Sequence, residues 1–279
     1  MAKRGGMLRI GTSGWSYAHW RGILYPPDAK PAEYLALYAR VFPTVELNAT
    51  FYRMQREATF RKQAAAAPEG FVFAVKAHRS ITHEMRLEGV ETRWREFVSG
   101  ATALEDKLGP VLLQFPPSFR CRRDLLERFL ERHAAAFGET PRLAFEFRHA
   151  SWFEGEAVGV LRAHGAAMVL ADSSRYPRAP LEAAPPFAYL RFHGPGVMFA
   201  SSYSDAQLRE WAQRIGAWLA EGLDVYAYFN NDAEGCAVRN ALRLRELAEE
   251  EQRAARADWP SRERKGKSAS AEGKLANNP

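Results

Sequence analysis

Arg142–Phe153 reads RLAFEFRHASWF. At the two-residue period of a strand, Leu143, Phe145 and Phe147 share one side, and Ala144, Glu146 and Arg148 share the other. A fully apolar face opposite a carboxylate and a guanidinium is not the pattern of an ordinary buried strand. The large apolar groups can pack against helices. The charges need an inner space that supplies partners, because an unpaired buried charge costs several kcal/mol. Such a strand fits the wall of a barrel with a polar mouth.

Strands of the same kind recur on both sides of it. Thr44–Asn48 sets Val45 and Leu47 against Glu46 and Asn48, and Phe71–His78 sets Phe73 and Val75 against Ala74, Lys76 and His78. Val111–Phe115 sets Gln114 against Val111, Leu113 and Phe115, with Gly109-Pro110 expected to break the chain just before it. Ala166–Asp172 ends in Asp172. Phe187–His193 sets Tyr189, Arg191 and His193 against Ala188, Leu190 and Phe192, and Asp224–Asn230 lines up Tyr226, Tyr228 and Asn230. Met7–Gly11 makes an eighth strand at the start. Helical spacing fills most of the gaps, as in Ala32–Phe42, Glu57–Ala67, Thr92–Leu108, Arg122–Phe137, Glu156–His164 and Asp205–Glu221. After strand six, Ser173–Pro186 holds four prolines and no helical pattern. Eight strands alternating with helices, without repeats or an internal linker, predict an α/β fold. The specific expectation is a single (β/α)8 TIM-type barrel with an irregular proline-rich loop after strand six. An open doubly wound sheet is the rival, but GTSGW after strand one does not match a GxGxxG phosphate turn.

The 279 residues suit one such barrel. We expect the barrel over residues 7–257 and a disordered basic tail over 258–279, since SRERKGKSASAEGKLANNP is polar and has no aromatic residue. The net charge of +6 is concentrated at the ends: Lys3 and Arg4 give +2, and five Lys or Arg against three acids over Asp258–Pro279 give +2. The body is then left at about +2, which is not the basic stripe of a duplex binder. No run of eighteen apolar residues is present, so no membrane span is expected. MAKRGGMLRI lacks the apolar core of a signal peptide, and Cys121 and Cys236 are too distant for a CxxC, so a cytoplasmic protein is expected.

In a barrel of this type, chemistry gathers at the C-terminal strand ends. Glu46, Lys76, Glu146 and His193 are the candidate catalytic residues there. Two carboxylates can serve glycoside hydrolysis, His193 can transfer protons near neutral pH, and a desolvated Lys76 can form a Schiff base. The ordinary alternatives stay open: paired ions lining the mouth, a hydrogen-bonded histidine, and a Lys76–Glu46 ion pair. Candidate ligand-binding residues are Trp15, Asn48, Tyr52, His78, Gln114, Arg148, Trp152, Asp172, Arg191, Tyr228, Asn230 and Asn231. Arg148 and Arg191 are forks suited to anions, and the loop aromatics are suited to stacking. Gly194, Gly196 and the start of the last helix suggest a phosphate seat, although Asp232 could cap that helix itself. No metal is expected, because Lys76, Arg148 and Arg191 compete with a cation for Glu46, Glu146, Asp172 and His193, and no HxH or HExxH occurs. No cofactor is expected.

IGTSGWSY with WRGILYP, VELNATFYR, FAVKAHRSITH, LLQFPPSF, AFEFRHASWF, YLRFHG and YAYFNND occur in this order from about Ile10 to Leu247. Together they resemble the YecE-like domain of unknown function, number seventy-two of its kind. The resemblance implies a TIM-type barrel and supplies no settled activity, cofactor or catalytic residue. Its motif positions fall here on Gly14, Trp15, Glu46, Asn48, Tyr52, Lys76, His78, Gln114, Glu146, Arg148, Trp152, Arg191, His193, Asn230 and Asn231. The leading expectation is a hydrolase or lyase acting on a small anionic or sugar-containing ligand. The rivals are a nuclease-like or nucleic-acid-processing protein and a non-catalytic ligand-binding barrel.

Overall fold

Residues 5–180 and 186–272 are described by a computed structural model, with side chains to 254. The strands are β1 (Leu8–Thr12), β2 (Thr44–Leu47), β3 (Val72–Lys76), β4 (Leu108–Gln114), β5 (Leu143–Glu146), β6 (Ala167–Met168), β7 (Leu170–Asp172), β8 (Ala188–Phe192) and β9 (Val225–Phe229). The helices are α1 (Tyr34–Ala39), α2 (Ala49–Tyr52), α3 (Glu57–Ala66), α4 (Glu91–Ala101), α5 (Arg123–Phe137), α6 (Ala157–Ala163), α7 (Asp205–Ala220) and α8 (Cys236–Glu272). The strands form two parallel sheets, one ordered β1-β9-β8-β7 and the other β2-β3-β4-β5-β6. The fold is therefore α/β with parallel strands. Among the described residues, the ladder is not one closed ring.

Two strand expectations need correction. Ala166–Asp172 is not one strand: it breaks at Val169, and its halves pair with different sheets. Gly109-Pro110 does not break the chain but lies inside β4. There the register against β3 shifts between Phe73 and Val75, so the ladder tolerates a proline. A Cβ on Gly109 would come within 2.5 Å of Val72 Cγ1, which is why only glycine fits this close approach.

Alternation along the strands sorts the interior into two layers. Ile10, Val45, Phe73, Val75, Leu113, Phe145 and Leu190 belong to the large apolar layer between strands and helices. Ala74, Leu112, Ala144, Ala167, Tyr189, Tyr226 and Tyr228 form a smaller cluster on the opposite strand faces. The opening stretch follows the same rule. Phe145 and Phe147 pack outward, with Phe147 stacked on Trp152 at 3.9 Å, while Ala144 and Glu146 point the other way. The loop after β7 has no helix or strand over 173–180, and the rest of the expected loop, 181–185, lies outside the described residues. Helix α8 runs on past residue 258 to Glu272. Residues 273–279 of the expected tail lie outside the described residues, and the division into barrel and tail stays an expectation. No described helix is long and apolar enough to cross a membrane.

Candidate functional site

The strand ends converge on a buried ionic cluster. Arg191, on β8, donates from Nε to Glu46 Oε2 (2.9 Å) and from Nη2 to Glu46 Oε1 (2.7 Å), a bidentate fork on the carboxylate of β2. Its Nη1 donates to Glu146 Oε2 on β5 at 2.5 Å. Ser13 Oγ (2.6 Å) and Tyr189 Oη (2.8 Å) complete the shell of Glu46, and Arg148 Nε donates to Glu146 Oε1 at 2.8 Å. Arg191 is 1% exposed. Both carboxylates would be pushed up by burial, yet the guanidiniums outweigh it. Glu46 is held below its ordinary range, mainly by Arg191, and Glu146 well below, by Arg191 and Arg148. Two acids and two guanidiniums thus make a neutral quartet of ionised groups.

Ser13 reaches Glu46 because Gly14 turns the chain with φ +87°, letting its N–H bond to Glu46 O at 2.8 Å. His193 is buried behind Glu146. Its Nδ1 lies 3.3 Å from Asn230 Nδ2, and its Nε2 is 3.7 Å from Glu146 Oε1, too far for a hydrogen bond. With the Asn230 amide donating, the ring proton sits on Nε2. Burial first, opposed by Glu146, sets the ring pKa below its ordinary value, so His193 is neutral.

Above the quartet opens a cavity of about 680 Å3. Of the expected site residues, Asn48, Tyr52, Lys76, Gln114, Arg148, Arg191 and Asn230 line it. Glu46, Glu146 and His193 lie behind them. Lys76 corrects one expectation: it makes no ion pair with Glu46, because Arg191, Ser13 and Tyr189 already occupy both carboxylate oxygens. No side-chain hydrogen bond or salt bridge of Lys76 occurs among the described residues. Its Nζ lies 4.2 Å from the centre of the Phe51 ring. Burial, and next the positive charge of Arg191, bring its pKa down to about 7.

Six expected ligand-binding residues are not cavity-lining. Trp152 is fully buried, and its Nε1 donates to Phe119 O at 2.7 Å. Tyr228 is buried on the inner strand face, its hydroxyl 2.8 Å from Thr44 Oγ1. Asp172 pairs with Arg178 and accepts from Trp211 Nε1. Asn231 ties Ser201 O to Asn240 Oδ1, His78 holds Ser80, and Trp15 packs against the outer core. The expected phosphate seat is also occupied from within. Gly194 N–H goes to Tyr203 Oη, Gly196 and Val197 N–H go to Ser201 Oγ, and Asp232 accepts from Trp20 Nε1 instead of capping the helix. Arg191, with Nε, Nη1 and Nη2 all committed to carboxylates, is not a free anion fork.

Other cavity residues escaped the strand pattern. Arg79 and His83 come from FAVKAHRSITH, where a single π turn (Met85 N–H to Ser80 O) swings His83 against Phe51. Burial, then Lys76 and Arg148, bring the pKa of His83 to about 4, so it stays neutral. Phe199 holds a left-handed backbone (φ +67°) at the rim. Tyr17 and Asp232 also face the space, and burial raises the pKa of Asp232 despite Trp20 and His19. Among the described residues no three His, Cys, Asp or Glu side chains group as a metal site.

The comparisons agree with this architecture. The family model described as "Protein of unknown function DUF72" matches residues 9–264. The UPF0759 protein YunF of Bacillus subtilis is 27% identical over 271 residues, 86% of this chain and 94% of its own. The UPF0759 protein YecE of Escherichia coli strain K12 is 25% identical over 239 residues, 76% of this chain and 82% of its own. A crystal structure of a DUF72 family protein from Thermotoga maritima aligns with a TM-score of 0.76 at 31% identity, covering 87% of this chain and 99% of that one. A second, from Enterococcus faecalis, has the same fold at 21% identity and a TM-score of 0.74. With the family model spanning nearly the whole sequence and the same fold in solved members, the chain belongs to the DUF72 family.

Proposed function

We propose that this protein is an enzyme, a hydrolase or lyase, working on a small anionic or sugar-containing compound in the cavity at the strand ends. The observation that carries the reading is Lys76, a cavity-lining cation with no carboxylate of its own. Arg79 and Arg148 line the same space, each with one carboxylate partner, Glu84 and Glu146, and Asp232 is the acid among the lining side chains. An anion entering here meets Lys76 as the lining cation that has no carboxylate partner among the described residues. Lys76, with a pKa of about 7, can also release and take up a proton near neutral pH. Glu46 and Glu146 are kept ionised by arginine and act as the counter-ions of the site. Phe51, Tyr52 and Tyr17 offer faces to a sugar or other flat group.

The same reading takes the two sheets as arcs of one eight-position barrel. Ser13 and Glu46 bridge β1 to β2 at one seam, β6 and β7 count as one position interrupted at Val169, and Tyr189 and Tyr228 pack with Leu112 and Ala144 inside.

The test measures melting temperature with inorganic phosphate, glucose 6-phosphate and glucose, followed by turnover of a sugar-phosphate and glycoside panel. Anionic compounds should raise the melting temperature of wild type and leave Lys76→Met unmoved. Absence of any shift or turnover, with salt-sensitive binding of a single-stranded oligonucleotide instead, would overturn the reading in favour of nucleic-acid processing.

A further inference from the structure

We infer that Lys76 Nζ condenses with the carbonyl of a small aldehyde or ketone that also carries a phosphate or carboxylate, holding it as an imine in the cavity. The inference rests on the anionic-ligand reading above and adds the reacting group of the ligand.

An amine attacks a carbonyl only with its lone pair free, so a lysine tied to a carboxylate is a poor candidate. Lys76 is not so tied, since the neighbouring carboxylates are filled by Arg191 and Arg148. The ring face of Phe51 lies 4.2 Å from Nζ and, unlike a carboxylate, takes no hydrogen bond that would tie up the amine. Burial and the adjacent guanidiniums of Arg191 and Arg148 favour the neutral amine. Lys107, by contrast, spends its ammonium on Ala64 O and Ala67 O, and Lys30 and Lys62 are exposed.

An acceptor is also at hand. Asn48 lies one residue past the Leu47–Val75 pair of the β2–β3 ladder, beside Lys76, and its Oδ1 is buried without a partner. A buried acceptor without a donor is costly, and the hydroxyl of a carbinolamine would satisfy it. Arg79 and Arg148 can take the anionic end of the compound.

The step balances without an added reagent. The Nζ lone pair forms a C–N bond as the carbonyl π pair moves to oxygen, which takes one proton from the nitrogen. The carbinolamine hydroxyl takes a second proton from solvent and leaves as water while the nitrogen lone pair forms C=N, giving the protonated imine. The protonated imine draws electrons from the adjacent carbon, the chemistry that a lyase uses to break a bond there.

The experiment treats the full chain with glycolaldehyde phosphate or with neutral glycolaldehyde, reduces with borohydride, and maps the modified peptide by mass. Modification should be confined to Lys76, and the phosphate form should act at a concentration at least tenfold lower. Lys76→Arg should show none, yet still melt higher with inorganic phosphate. Equal modification of Lys30, Lys62 and Lys107, or an unmodified Lys76 in protein that phosphate still stabilises, would overturn the imine alone. Protein that phosphate does not stabilise and that is labelled equally by both aldehydes would instead remove the anionic-ligand reading.

Discussion

Glu146→Gln tests whether the quartet is scaffolding or chemistry. The wild-type carboxylate accepts Arg191 Nη1 on one oxygen and Arg148 Nε on the other. A carboxamide keeps one acceptor, so its NH2 must face one of these two N–H groups. The quartet also changes from neutral to a net charge of +1. Breaking a buried pair from one side costs roughly 3–5 kcal/mol. Arg148 is 13% exposed and can turn toward cavity water, which places the expected loss near the lower end, about 3 kcal/mol. For a chain of this size each kcal/mol moves the melting point by roughly 2–4 °C. A fall of roughly 6–12 °C in calorimetry at pH 7 follows. With Lys76 as the reacting group, the folded variant should keep turnover within about tenfold. It should also shift its pH profile to lower pH, because Lys76 loses a negative neighbour that had supported its charge. A fall under about 2 °C joined to a loss of activity of a hundredfold or more would refute the assignment and make Glu146 the acid or base.

Because the folded pKa values of Glu46 and Glu146 are depressed, the stability they contribute is complete above the unfolded carboxyl value of about 4.3 and is lost as pH falls below it. Melting points should fall first below about pH 6.5, where neutral His83 and His193 resist protonation, and again below about pH 4.3 as the quartet is lost, and equal melting at pH 3 and 7 would contradict the ionised quartet. Lys76 has the opposite sense. Its folded pKa lies below its unfolded value, so its contribution rises as pH climbs from about 7 to about 10.4. Lys76→Met should therefore melt no lower than wild type at pH 6 and lack that rise, whereas a clear fall would reveal a partner for the amine. Trp152→Ala should cost about 3–5 kcal/mol by urea unfolding, with phosphate binding unchanged, since the indole stacks on Phe147 outside the cavity. A stable variant that loses phosphate would return Trp152 to the site.

Strand alternation is local, and it correctly set Glu46, Lys76, Gln114, Glu146 and Arg191 on the inner faces. What it could not give is who pairs with whom. Glu46, Glu146 and Arg191 come from β2, β5 and β8, and only the closing of the chain shows that one guanidinium takes both acids and leaves Lys76 alone. Loop residues were harder still. Trp152 turns into the core through a short 3-10 turn, while His83 is carried to the mouth by a π turn and Phe199 by a left-handed backbone. Gly109-Pro110 has the composition of a breaker, but packing against Val72 and Phe73 draws it into β4. FAVKAHRSITH did carry one usable signal: Arg79 and His83 stand in the same motif as Lys76.

Arg191 also sets an order of events on the ribosome. Both acids that it neutralises are made before it, Glu46 by 145 residues and Glu146 by 45. Until β8 leaves the exit tunnel, the nascent chain holds two carboxylates destined for full burial, with Arg148 as the one guanidinium of the quartet already made. Water is then the better home for them, and β2 and β5 have reason not to close early. A growing chain should stay open through its first 190 residues and close only once β9, which lies between β1 and β8, has followed Arg191.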